Sequence, residues 1–474
     1  MLKKLIAAAI ILLGGSAAFA QTSPQSAVFL DNYMYGYRSN AAFQSEKSFF
    51  GFLVNDIGMS ASSNVGLSNF IFRDATGAAV IALNNKVPAE QFLSKLPQIA
   101  VLSEDVNYSL FSFGMRKDES FFTLEASLRQ DMYGSLSKDF FAFLKDTRLK
   151  PVYDLKETGL NTTSYFEIAA GYSRTFAEKF TVGARLKFLL GYAHSNIRFT
   201  QADVAAADGI KLDADGQMLV ACNMLEMGTH VSDLSGKNVL DFTTPPVFVK
   251  KFSPAGYGFA ADLGVSYKAM DNLDIYLGVN DLGGISWHYN TVGHVKGHYE
   301  NESAETSFDS VTDQLEEEIK KLQGFSDFER QAPIKAFEGL SCSLNAGVKY
   351  RMPFYRRWSA GLNGYYKIGG PASWGEARLG TTVTPLDWLS LSANIGYGTF
   401  GTTGGAALSI NALGINFFLS ADSYLGGLGA YTMPQEEGAS APAMQVILPY
   451  NKFRFNVQTG LTITIGDRHS PFAI

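Results

Sequence analysis

The residues in this chain best suited to chemistry are ionisable side chains that recur on one face of its alternating segments. Seven are acidic and seven are basic, so they can pair with one another and do not create a field of one sign. The set is Glu125, Arg129, Asp131, Glu167, Arg185, Lys187, Asp262, Asp274, Lys349, Lys367, Glu376, Arg378, Asp422 and Arg454. We interpret this set either as a structural network of ion pairs or as a polar path or latch.

The sequence contains no recognisable catalytic motif. A G-x-S-x-G nucleophile elbow, a phosphate-binding G-x-x-x-x-G-K loop and an H-E-x-x-H zinc motif are all absent. Each of those chemistries needs its residue types at a fixed spacing. We therefore predict that the chain is not an enzyme and has no catalytic residues and no cofactor.

Histidine and cysteine are too sparse to indicate a metal centre. His294 and His298 would lie roughly 13 Å apart if they occupied one strand, which is too far for a shared zinc ion. They would converge only in a turn or helix, and the other interpretation is a polar rim that also includes His288. Cys222 and Cys342 belong to distant segments, so we predict no metal site and two free thiols.

Composition and the amino terminus indicate an exported protein. Only 18% of the 474 residues are charged, against about 25% in a typical soluble protein, and the net charge of −6 opposes nucleic-acid binding. Residues 1–20 have the basic, apolar and A-x-A regions of a signal peptide. No later segment contains eighteen consecutive apolar residues, so the exported chain is either soluble or a closed β-barrel.

Period-two alternation decides between these two classes. Residues 453–465 place Phe, Val, Leu and Ile on one face and Arg, Asn, Gln, Gly and Thr on the other. Segments of about ten such residues recur along the chain and are typical of transmembrane barrel strands. We predict an all-β, transmembrane antiparallel barrel of about fourteen strands over residues 48–474, with 209–225 or 239–250 as possible extra strands.

The connections between these segments alternate in length. Bacterial barrels have short turns at one end and long outer loops at the other. The predicted long loops cover residues 64–106, 136–162, 203–255, 289–337 and 425–451. Helical patterns occur within them at 88–96, 137–145 and 310–322. In the second of these, Phe140, Phe141 and Phe143 either dock a hydrophobic ligand or cap the lumen.

Residues 21–47 precede the first strand and do not alternate. A fourteen-strand barrel is wider than the eight-strand kind that side chains alone can fill. We therefore predict either that this segment folds back as a plug or hatch in the lumen, or that it is a periplasmic tail.

Several short motifs resemble a known barrel family. They are Ser26–Asp31, Tyr37–Phe43, Gly66–Phe70, Asp281–Gly283 with Trp287, Ala332–Lys335 and Leu344–Tyr350. Together they resemble a Bacteroidetes outer-membrane family of unknown function related to the FadL and PorV barrels. FadL-like proteins have an amino-terminal hatch with an Asn-Pro-Ala stretch, and Asn40, Ala41 and Ala42 stand at that place here.

The resemblance implies a function in the outer membrane of a Gram-negative cell. FadL-like barrels take up hydrophobic or amphipathic small molecules passively, which makes such a molecule and outer-membrane lipid the expected partners. PorV-like barrels imply the alternative, a non-conducting structural barrel or a partner of type IX secretion proteins. A wall opening or an apolar pocket beside residues 21–47 would favour uptake, whereas a continuous wall filled by charges would favour the alternative.

Overall fold

The computed structural model describes most of the chain. The described residues are 25–31, 33–73, 79–205, 210–233, 235–241, 247–248, 253–301, 323–432 and 445–465. The predicted signal peptide at 1–20 and the predicted helix at 310–322 lie outside these ranges. No helix among the described residues is long and apolar enough to cross a lipid bilayer.

Fourteen long strands form a closed antiparallel barrel, as the alternation predicts. In chain order they are β1 Ser48–Ser63, β2 Ile99–Lys117, β3 Ser120–Ser137, β4 Gly159–Phe176, β5 Phe180–Ala205, β6 Gly256–Met270, β7 Leu273–Tyr289, β8 Cys342–Arg351, β9 Trp358–Ile368, β10 Trp374–Leu386, β11 Leu389–Gly398, β12 Gly401–Ala412, β13 Ile415–Tyr424 and β14 Phe453–Ile465. Each strand pairs with the next along the chain, and β1 also pairs with β14. The sheet therefore has no free edge.

The two ends of the barrel differ in their connections. A tight turn, Leu413-Gly414, joins β12 to β13, and both of its residues have positive φ. Short connections join every second pair of consecutive strands at this same end, which we call the short-turn end. The opposite, long-loop end carries most of the shorter helices and strands. Strand β2 begins at Ile99, so the end of the predicted loop 64–106 is strand. The first residues of β2, apolar at 99–102 and then Ser-Glu-Asp, do not alternate, so the period-two pattern does not predict this part of the strand.

Short elements lie within and above the barrel. The helices are Ala27–Phe29, Gly36–Ser39, Leu67–Phe70, Ala89–Ser94, Lys138–Lys145, Gln323–Ser326 and Gly370–Ala372, and the strands are Ile71–Arg73, Ala79–Ile81, Val152–Asp154, Ile210–Cys222, Leu225–Glu226, Thr229–Val231, Asn238–Leu240, Val247–Phe248, Thr291–Asn301, Glu329–Gln331, Ile334–Gly339, Leu428–Thr432 and Gln445–Pro449. Short helices in segments 88–96 and 137–145 match the predictions. The segment Ile210–Cys222 is a strand, but it pairs with the far end of β5 and with Thr291–Asn301 and does not add to the barrel wall.

Alternation along each strand gives the barrel an apolar outside and a polar inside. Leu186 and Phe259 are about 70% exposed on the outer face, whereas Asp262 and Gln458 are fully buried inside. Tyr257 and Tyr267 stand at opposite ends of the outer face of β6, roughly 33 Å apart along the strand. We call the apolar outer face between these two levels the belt. The usual tilt of barrel strands shortens its length along the barrel axis to about 25 Å, the height of the apolar band in membrane barrels.

Leu186 near the middle of the belt tests this arrangement. We expect Leu186→Arg to lower the free energy of unfolding by about 2–4 kcal/mol, because a charge at the bilayer centre loses its hydration. Urea titration of the protein in phospholipid vesicles measures the change. Leu413→Arg is the matched control, since Leu413 lies in an exposed turn. Equal losses in the two variants would contradict the assignment of the belt.

Candidate functional site

The lumen at the short-turn end is occupied by residues 25–31 and 33–47. Tyr33, Tyr35 and Tyr37 are buried there and pack against Phe49 of β1 and Phe418 of β13. The hydroxyl of Tyr35 donates a hydrogen bond of 2.7 Å to the backbone oxygen of Asn55. These contacts join the amino-terminal segment to strands on opposite sides of the closing β1–β14 seam.

Glycines in the wall permit the segment to touch the strand backbone. A Cβ atom at Gly183 of β5 would lie 1.9 Å from the backbone oxygen of Ala41, and one at Gly264 of β6 would lie 2.0 Å from Oδ1 of Asn40. Both distances are far shorter than real contacts between such atoms. Any larger residue at these positions would therefore push the segment away from the wall.

The three residues at the predicted hatch motif lie in this contact region. Asn40 is fully buried, and its Oδ1 accepts a hydrogen bond of 2.9 Å from the backbone nitrogen of Ala42. The preceding carbonyl, of Ser39, accepts a 2.9 Å hydrogen bond from Nδ2 of Asn280 in β7. Asn40, Ala41 and Ala42 thus form a compact turn against β5, β6 and β7.

Arg38 connects the segment to the charged wall. Its guanidinium contacts the carboxylates of Asp56 in β1 and Glu125 in β3, the latter at 2.7 Å. Arg185 lies on the far side of Glu125 at 3.2 Å and reaches Asp262 at 2.8 Å. All five side chains are almost completely buried, so each charge depends on its partners for compensation.

The same network continues toward the long-loop end. Lys187 lies 2.7 Å from Asp262 and 2.5 Å from Asp281. Glu167 is within 4 Å of Lys187 and of Arg129. Predicted lumen residues from β3, β4, β5 and β6 are therefore brought into one cluster.

The remaining predicted charges lie in three other places. Lys367 bridges Asp105 and Asp131, the latter at 2.6 Å. A second group surrounds Arg378, with Asp422 at 2.9 Å, Glu376 at 3.1 Å and Arg454 beyond Glu376. Lys349 pairs with Asp31 of the amino-terminal segment at 2.8 Å, and half-buried Asp274 lines a polar cavity beside them.

Sequence reasoning missed three of the wall carboxylates in these networks. Asp56 lies three residues after Leu53, which has a φ of 61°, and Asp281 itself has a φ of 61°. Both aspartates lie at register shifts, which displace the alternation of side chains between the two faces. Asp105 was assigned to the predicted loop 64–106. Bulges reorient side chains without any change in residue type, so a strict period-two pattern does not find Asp56 and Asp281.

A large apolar cavity lies outside these networks, at the long-loop end. It has a volume of about 630 Å³ and a mainly apolar lining from β1 to β5. Met132 and Leu136 lie on the same face of β3 as Leu128, which is exposed on the outside of the barrel. Leu102, Leu160 and Ile197 continue this face through the paired strands.

Loop aromatics complete the cavity. Phe70 and Phe141 line it, with ring centroids 5.6 Å apart. Of the other predicted loop aromatics, Phe143 is buried against Tyr153, and Phe140 is partly buried beside that cluster. Phe141 is therefore the member of the predicted trio that reaches the cavity.

The histidines and cysteines form no metal site in the described part of the chain. His298 lies between Asp213 at 2.8 Å and Glu300 at 3.1 Å, and His294 lies 3.1 Å from Asp215. Hydrogen bonds that the imidazole donates to the carboxylates of Asp213, the larger effect, and Glu300 raise the pKa of exposed His298. Cys222 and Cys342 are free thiols, as predicted.

Gly264 provides a test of how the segment is seated. We expect Gly264→Leu to displace residues 40–42 and to raise single-channel conductance in planar bilayers, because Asn40 and the new side chain would occupy the same space. A chain lacking residues 22–46 provides the open reference level. Gly364→Leu is the control, since a Cβ at Gly364 has only an ordinary contact of 3.6 Å. Unchanged conductance in both Gly264→Leu and the truncated chain would show that the segment does not block the lumen.

Comparisons with known proteins give one family match. The model of the "Family of unknown function (DUF5723)" matches residues 41–422. No curated protein matches the chain.

Solved structures show distant similarity. The Pseudomonas putida toluene transporter TodX is 11% identical, with 92% of this chain and 95% of that chain covered and a TM-score of 0.42. A Pseudomonas aeruginosa FadL homologue is 10% identical, with 94% and 99% covered and a TM-score of 0.44. The CymD monoaromatic hydrocarbon channel is 10% identical, with 93% and 95% covered and a TM-score of 0.41. Similarities at this level assign no ligand.

Proposed function

We propose that this chain, which belongs to the family of unknown function DUF5723, is an outer-membrane barrel that binds a hydrophobic or amphipathic small molecule for passive uptake. The apolar cavity of about 630 Å³ at the long-loop end carries this proposal. Ligand sites typically measure about 300–1,000 Å³ and are lined mainly by apolar and aromatic side chains.

The outer membrane is the location that best suits the barrel. Its apolar belt needs lipid around it, and the closed sheet satisfies its backbone hydrogen bonds without water. The predicted signal peptide at 1–20 supports export, and the predicted long loops would then face outward, with the tight turns in the periplasm.

The position of the cavity suggests a sequence of contacts for the ligand. A hydrophobic molecule would first meet Phe70 and Phe141 and then the apolar outer face of β2, β3 and β4. The wall beside it and residues 25–47 within the lumen would have to move before the molecule could pass. No covalent chemistry is involved in this route.

The charged lumen favours a second candidate function. Residues 25–31 and 33–47 and the buried ion pairs lie in the interior, as a non-conducting structural barrel would require. In that role, including that of a secretion-system partner, the segment would remain in place permanently and the apolar cavity would not exchange ligand with the surroundings.

Leu136 in the cavity wall tests ligand binding. We expect Leu136→Trp to weaken binding of radiolabelled dodecanol to the full-length protein in nanodiscs at least tenfold, because the indole occupies the cavity. Leu128→Trp is the matched control, since Leu128 lies on the same face of β3 but outside the cavity. Scintillation proximity measures both affinities. Absence of saturable binding to the unsubstituted protein would favour the structural barrel.

A further inference from the structure

Two polar cavities lie in the lumen along the inward faces of β7 and β8. The first, which we call the long-loop cavity, has a volume of about 110 Å³, and Asp281 and Ser343 line it. The second, which we call the short-turn cavity, has a volume of about 490 Å³, and Tyr276 and Lys349 line it. Both volumes are large enough to hold water.

Charged side chains in both cavities retain accessible surface. Arg129 and Asp131 in the long-loop cavity are 20% and 24% exposed. Lys268 and Arg351 in the short-turn cavity are 44% and 38% exposed. A small polar solute can therefore be accommodated on either side of the region that separates the two cavities.

Three buried asparagines form the partition between the cavities. Asn280 of β7 and Asn345 of β8 each donate a hydrogen bond from Nδ2 to the backbone oxygen of Ser39, the former at 2.9 Å. Asn40 follows Ser39 in the amino-terminal segment. The three asparagines are no more than 5% exposed, so neutral amides from the segment and from the wall meet at this point.

Each of these amides has one polar atom without a hydrogen-bond partner among the described residues. The atoms are Nδ2 of Asn40, Oδ1 of Asn280 and Oδ1 of Asn345. Unpaired buried polar atoms are costly. One free donor and two free acceptors are complementary to a water molecule or to a solute hydroxyl, each of which can both donate and accept.

Gly278 provides the space in which these groups meet. It is the register partner of Asn345 across the β7–β8 pair. A Cβ atom at Gly278 would lie 2.9 Å from Oδ1 of Asn345 and 3.0 Å from Nδ2 of Asn40. The free donor and one free acceptor therefore border a volume that the side chain of any other residue would occupy.

We infer that the lumen contains a path for small neutral polar solutes, such as short polyols, which runs along β7 and β8 past the three asparagines. A solute hydroxyl would exchange its hydrogen bonds with water for hydrogen bonds with the amides. An ion would lose hydration beside groups that carry no charge, which is far more costly. The path does not use the apolar cavity, so this inference goes beyond the proposed function and does not depend on it.

The permeability of the unsubstituted protein is the first test. The full-length protein is reconstituted in phospholipid vesicles, and stopped-flow light scattering follows their swelling in erythritol, raffinose or potassium chloride. We expect erythritol to enter at least tenfold faster than into protein-free vesicles, and the other two solutes to stay within twofold of those vesicles. Erythritol entry at the protein-free rate would overturn the path, and equally rapid entry of raffinose or potassium chloride would overturn its selectivity.

Substitution of Gly278 is the second test. We expect Gly278→Ala to slow erythritol entry at least fivefold, because the new methyl group occupies the space between the amides. Gly364→Ala is the matched control, since a Cβ there has only an ordinary contact of 3.6 Å, and it should leave the rate unchanged. Unchanged or faster entry in Gly278→Ala would overturn the location of the path. If this variant fails to fold, the solute ranking of the unsubstituted protein still decides whether the path exists.

Discussion

Closure of the hydrogen-bond ladder between β1 and β14 is the constraint on which the rest of this structure depends. Once the first and last strands pair, no long strand of the barrel has an unpaired edge, and the wall can exist in a medium that offers no hydrogen bonds. Closure also separates two environments. Because side chains alternate across a strand, each strand must provide apolar residues to one environment and polar residues to the other.

The width of a fourteen-strand barrel creates the second requirement, which is to fill the lumen. Side chains from the wall alone fill only narrower barrels, and here residues 25–31 and 33–47 occupy the short-turn end. Arg38 connects that segment to Asp56 and Glu125, so filling and charge compensation are achieved by the same contact. Removing one partner of such a buried pair typically costs about 3–5 kcal/mol, so the segment contributes to the stability of the folded barrel.

The outer face has two zones with different neighbours. Around Leu186 and Leu128 it is exposed as an apolar belt, whereas beyond Met132 the loops carrying Phe70 and Phe141 cover it and enclose a cavity. The proposed binding site is therefore a continuation of the belt. A hydrophobic molecule bound there would remain separated from the ion pairs of the lumen by the strands themselves.

The sequence by itself determined the fourteen-strand antiparallel barrel, its alternating faces and two of its loop helices, because these follow from local periodicity and from turn and capping residues. It also identified most of the inward charges, such as Arg185 and Asp262. Only the tertiary structure decided which charges pair and that Asp56 and Asp281 join them, because bulges change side-chain direction without changing residue type. The apolar cavity was likewise not predictable, since Glu104, Met132 and Phe141 come together only through strand register and loop packing.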